Sequence, residues 1–191
     1  HPECGFFYGD TAEVNEEWVN NKYEAGFALG YGNYRDEEYE GRMLAPANQQ
    51  NINPKTIRHI VGVPNHIRAW RRSTYFEIGG HNRSLTIADD YELIVRTFLK
   101  TKMCRIPKLG YIQFIYNDGN TMNTHELSRK DIQRRVRSIM YYYNERIAQR
   151  FEELGLKDWA YDELPSNPWG VESKYGEEEN YANYNFIPNS N

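Results

Sequence analysis

Two cysteines, Cys4 and Cys104, are all that 191 residues contain. They lie far apart, and neither stands in a Cys-x-x-Cys, beside a His, or in a nucleophile-like setting, so the chain carries no zinc-ribbon or dithiol redox motif. The expectation is two free thiols in a reducing compartment, hence the cytoplasm or its membrane surface. Long apolar runs are missing too. None reaches the ~18–20 residues of a membrane span, and no secretory h-region is seen. The chain opens on His1 without a Met and reads as a piece of a longer product. Positive charge is also short: 23 Lys and Arg against 27 Asp and Glu give a formal net charge of -4. A general nucleic-acid binder, which needs a basic footprint, is disfavoured.

The hydrophobic fraction, 39%, lies below the ~45–50% usual for globular domains. Sixteen Tyr and four Trp compensate, since they bury area while keeping a polar end. This length suits one domain, or slightly more.

Residues 4–8 (CGFFY) form an apolar run that ends on Gly9-Asp10, a turn pair, and read as a buried strand with residues 11–15 as its exit. Residues 20–55 show no sustained period and read as loop with one short helix or hairpin. A helix is expected over about 65–75, ahead of the turn at Gly79-Gly80. Another opens at Asp89, where Tyr91, Ile94, Val95, Phe98 and Leu99 recur at helical spacing, acids at its start and Lys100 and Lys102 at its end. Residues 111–117 (YIQFIYN) read as a strand bounded by Pro107 and Asp118-Gly119. The longest helix is expected from Ser128, with Asp131 as a capping-box partner, to Leu154, with Gly155 as its C′ residue. From 161 the chain is acidic, rich in Tyr and Asn, and aperiodic; it reads as a polar extension to an α/β layered domain over 1–160.

The residues that carry chemistry lie between Arg71 and Arg96. Asp89 and Asp90 stand at the mouth of a helix, eight residues beyond the turn. One acid there caps free helix N–H groups and meets the positive end of the dipole. A second adds like-charge repulsion, which raises one pKa and suits a general base. Arg68, Arg71 and Arg72 precede the turn and are either a solvated face or a bidentate grip on phosphate or an anionic acceptor. Arg96 is expected to pair with Glu92, four residues back.

Ile78, Gly79 and Gly80, then Asp89-Asp90-Tyr91-Glu92-Leu93 and Arg96, resemble the acceptor-side signature of family 2 glycosyltransferases, which have the GT-A fold, a Rossmann-like layered sheet. The resemblance spans about residues 4–145 and is carried mainly by 71–96. It implies an inverting transfer from a nucleotide sugar, a UDP-sugar foremost, to a carbohydrate or lipid-linked acceptor. Asp90 falls where the family has its catalytic base. Asp89 stands where Glu is usual, and Gly79-Gly80 where the backbone passes close to the sugar. It further implies a divalent metal, Mn²⁺ or Mg²⁺. In the loop 116–126, His125 is the one residue that could supplement its ligands. The stretch FFYGD resembles the strand that follows the family's DxD segment. No D-x-D occurs here, so the main metal ligands and the nucleotide-binding βαβ unit would precede His1, leaving the sheet incomplete on its N-terminal side. Two rival readings use other features. One is a non-catalytic carbohydrate- or nucleotide-binding module, favoured by the aromatic surplus. The other is an RNA contact through Arg129–Arg137, disfavoured by overall acidity.

Overall fold

The apolar run at residues 4–8 does enter a strand, but β1 extends over Cys4–Val14, passing straight through Gly9-Asp10. In the computed structural model, which describes residues 1–22, 33–49, 51–59, 64–116 and 126–160, β1 is the middle of a three-stranded sheet. On one side it pairs antiparallel with β4 (Arg68–Trp70), and on the other parallel with β5 (Lys102–Phe114). Most of β1 is buried, which explains a run of apolar residues where a half-exposed strand would alternate.

Between these strands lie a short hairpin, β2 (Glu37–Tyr39) and β3 (Arg42–Leu44), and helix α1 (Pro54–His59). The hairpin turns at Glu40-Gly41 with φ of 49° and 73°, both left-handed as a tight primed turn requires. Asn53 caps α1 reciprocally: its Oδ1 accepts from Thr56 N–H at 3.0 Å, and Thr56 Oγ1 accepts from Asn53 N–H at 2.8 Å. Pro54 then takes the first helical position, where no N–H is needed.

The helix expected over 65–75 is not there. The segment instead forms β4 and then α2 (Arg72–Glu77), because β4 completes the ladder of β1 with Phe6 facing Trp70 and Tyr8 facing Arg68. Helix α3 (Asp89–Lys100) follows as expected, with Tyr91, Ile94, Val95 and Phe98 buried in its stripe. The strand read at 111–117 begins earlier, at Lys102, and runs through Pro107. The register explains the tolerance: β1 advances from Tyr8 to Asp10 while β5 advances from Arg105 to Leu109, so Pro107 lies in a bulge and owes no ladder bond.

Helix α4 (Glu126–Glu153) starts two residues ahead of Ser128. Its C-terminus is as read. Gly155 adopts φ +77°, Leu156 N–H donates to Phe151 O (2.8 Å) and Gly155 N–H to Glu152 O (2.9 Å), the Schellman pattern. A 3-10 turn, Lys157–Trp159, follows. The main core joins α3 to α4 and draws in Ile57 of α1, with Phe98 and Phe151 5.0 Å apart at their ring centroids.

The fold is therefore mixed α/β, with a small mixed sheet and few helices. No described helix is long and apolar enough to cross a membrane. The two cysteines are not free: Cys4 and Cys104 form a disulfide between β1 and β5, Cα atoms 6.1 Å apart. Their distance in sequence hid this, since parallel pairing brings the starts of both strands together. The thiols therefore no longer point to a reducing compartment. The extension 161–191 lies outside the described residues.

Candidate functional site

Helix α3 begins abruptly. Ala88 is its N-cap, at φ 60° and ψ 22°, and offers no side-chain cap. The two acids therefore occupy the first helical turn, at the mouth of the helix as expected. Asp90 Oδ1 accepts from Tyr91 N–H at 2.8 Å. Its other oxygen meets Arg68 Nη1 at 2.8 Å, and the Arg68 side chain is only 7% exposed while Asp90 is 37% exposed. Asp89 turns elsewhere: the Nδ1–H of His81 donates to its Oδ2 at 2.8 Å. The two carboxylates are thus matched to separate partners. Both remain partly open to solvent.

The three arginines part ways. Arg68, on β4, also donates from Nε to Pro64 O (2.7 Å) and holds Asp90. Arg71 does not join them. Its Nε donates to Cys4 O (2.6 Å) and Nη2 to His1 O (3.0 Å), fastening the start of β1, with the guanidinium over the Phe7 ring. Arg72 lies over the Phe76 ring on α2. Of the arginines expected to bind substrate, one reaches the acids.

The glycine turn is joined to the acidic helix. Gly79 and Gly80 have φ of 82° and 64° and end α2 by donating to Phe76 O and Tyr75 O. Arg96, paired as expected with Glu92 (2.7 and 2.6 Å), reaches past it to Ile78 O and Gly80 O. Trp70 of β4 donates from Nε1 to Thr97 Oγ1 of α3 at 2.8 Å, fixing the strand that bears Arg68 against the helix that bears Asp90. The site therefore rests on strand and helix, with its turn tied down.

Two residues beside it, His66 and His81, were not singled out from the sequence. His66 precedes β4 and lies near enough to Arg68 and Asp90 to sense both charges. Burial pushes its pKa down, Arg68 pushes the same way, and Asp90 opposes them. Its ring stands 5.2 Å from that of Tyr111 on β5. His81 could have been noticed, since it follows Gly79-Gly80 and stands eight residues before Asp89.

Asp10 has no capacity for metal. It is fully buried; Arg105 grips both its oxygens (2.8 and 2.7 Å), Arg35 meets Oδ2 at 2.5 Å, and Gln49 N–H donates to Oδ1 at 3.1 Å. Among the described residues the grouping with metal-ligand composition is His1, Glu3 and Cys4, but the Cys4 sulfur is bonded to Cys104. With Asp89 and Asp90 engaged by His81 and Arg68, the described site does not fit a divalent metal. His125 lies outside the described residues. Set against protein-family models, curated proteins and solved structures, the chain matches none of them.

Proposed function

We propose that this chain is the acceptor-side part of an inverting glycosyltransferase that uses a nucleotide sugar, a UDP-sugar foremost, on a Rossmann-like GT-A scaffold. The observation that carries the reading is Asp90: a solvent-reached carboxylate at a helix N-terminus, oriented by Arg68. In the reaction, the acceptor hydroxyl gives its proton to Asp90 as its oxygen attacks the anomeric carbon, and the nucleoside diphosphate leaves with the bonding electrons. Arg68 restrains the carboxylate, and Arg96 holds the carbonyls of the glycine turn against the helix that bears it. The nucleotide pocket and the Mn²⁺ or Mg²⁺ implied by the resemblance belong to residues other than those described, and no step here passes through the metal. The acceptor would be a carbohydrate or lipid-linked sugar. A cytoplasmic location would require the Cys4–Cys104 bond to persist against cellular reductants.

One observation favours a second reading. An aspartate already paired with a mostly buried arginine is also what a helix-end strut looks like, and this supports a non-catalytic carbohydrate- or nucleotide-binding module. The complete gene product, incubated with a panel of nucleotide sugars beside its Asp90→Asn variant, separates the two. Turnover of one donor, lost in the variant with its melting temperature kept, supports transfer. Donor binding without turnover, unchanged by the substitution, supports the module.

A further inference from the structure

Gly9 of β1 and Gly110 of β5 lie side by side and make a bare strip on the sheet, and Ile67 crosses it. A Cβ at Gly110 would stand 2.9 Å from Ile67 Cγ2, and one at Gly9 would stand 3.5 Å from the same atom. The crossing is pinned by backbone: Gly9 N–H donates to Ile67 O at 3.2 Å, and Thr11 Oγ1 donates to His66 O. The absence of two side chains thus lets the segment entering β4 press onto the sheet. It brings the His66 ring to Tyr111 with planes inclined by 44°. Ile67 is 53% exposed and Tyr111 40%, so the outer faces of this group are open. Arg68, two residues on from His66, holds Asp90 at 2.8 Å, which sets the platform beside that carboxylate, and both charges act on the His66 ring.

An open aromatic and aliphatic wall beside a carboxylate fits a particular ligand chemistry. The C–H-lined face of a pyranose carries partial positive charge and packs on the negative face of an aromatic ring, while its hydroxyls point outward. A nucleotide base would also stack, but the nearby cation, Arg68, is engaged by Asp90 and Pro64 O rather than held out for a phosphate. A neutral sugar needs no such cation. Burial keeps the imidazole toward its neutral form, in which it presents a ring face without a full positive charge.

We propose that His66, Ile67 and Tyr111 form the stacking platform for the acceptor's pyranose ring, holding a hydroxyl toward Asp90. The proposal rests on the glycosyl-transfer reading above and names the acceptor subsite within it.

The test uses the full chain labelled with ¹⁵N-histidine, with the His66 ring resonances assigned through His66→Gln. It is titrated with methyl pyranosides of the gluco, galacto, manno and N-acetylglucosamine series, and separately with UMP. At least one pyranoside is expected to shift the His66 resonances, in the parent and in Asp90→Asn alike. Tyr111→Phe should preserve binding, and Tyr111→Ala should weaken it roughly tenfold, as loss of one stacking face predicts. No shift with any pyranoside overturns the platform, as do equal affinities in parent and Tyr111→Ala, or a response to UMP alone. Glycosyl transfer is judged separately by turnover of the complete product. Pyranoside binding without turnover keeps the platform and removes the reaction; turnover with no dependence of acceptor KM on Tyr111 keeps the reaction and removes the platform.

Discussion

The Tyr143 hydroxyl of α4 donates to the Glu92 carboxylate of α3 across 2.9 Å, between the two helices that form the main core. Glu92 is fully buried and also holds Arg96, which in turn grips the carbonyls of the glycine turn. Helix packing and the turn beside the acids are therefore one hydrogen-bonded unit.

Glu92→Ala would leave the Arg96 guanidinium, 10% exposed, without its counter-charge, and would remove the hydrogen bond from Tyr143 to Glu92. Loss of one member of a buried pair costs about 3–5 kcal/mol. Tyr143→Phe removes one hydrogen bond to a charged group and should cost about 1.5–3 kcal/mol. Urea midpoints for the two variants should fall in that order.

Gly80→Ala meets two obstacles. At φ +64° a Cβ costs about 1–2 kcal/mol, and here it would also stand 3.0–3.1 Å from the Tyr75 ring. The melting temperature should drop by several degrees. Gly41→Ala, also at positive φ but with nothing within 4 Å, should cost less.

The Cys4–Cys104 bond closes a loop with a sequence separation of 100. Chain entropy assigns such a closure about 4–5 kcal/mol through the unfolded state. Reduction, or replacement of both cysteines by Ser, should lower stability by up to that amount. Mass spectrometry under non-reducing conditions should find no free thiol; two free thiols in the native protein would contradict the pairing.

Alkaline pH should destabilise the fold through its buried phenols. Burial pushes the Tyr8 phenol up to about 12 from an ordinary value of 10.0, with Arg105 drawing it down and Asp10 up. The unfolded phenol ionises first, so the stability from keeping Tyr8 neutral is intact below pH 10.0 and is lost as pH rises toward 12. The loss is about 3 kcal/mol at 1.36 per pKa unit. Burial also raises Tyr91 and Tyr143, which steepen the same decline. Urea unfolding at stepped pH should show it, with a shallower slope in Tyr8→Phe.

What the sequence disclosed was local. The stripe of α3, the Glu92–Arg96 pair and the Gly155 stop each depend on residues close together in the chain, and each is present. Gly9-Asp10 misled because an aspartate in a strand normally ends it. Here its charge is buried against Arg35 and Arg105, which lie 25 and 95 residues away in the chain. Pro107 misled because a bulge removed the ladder bond that proline cannot make. The acids were visible as a pair, but their partners, His81 and Arg68, belong to a loop and a strand whose placement depends on the whole sheet.

The place of β1 has a consequence for how the chain acquires its structure. The strand is among the first residues of this sequence, yet its partners lie at 68–70 and 102–114. During synthesis one ladder edge must wait about sixty further residues for β4 and the other about a hundred for β5, and distant pairing of this kind slows folding. A nascent chain halted before β5 would carry an unsatisfied, sticky strand, which is where chaperone binding should concentrate. Helix α3, which precedes β5 in the chain and is built from neighbouring contacts, can form while that strand still waits.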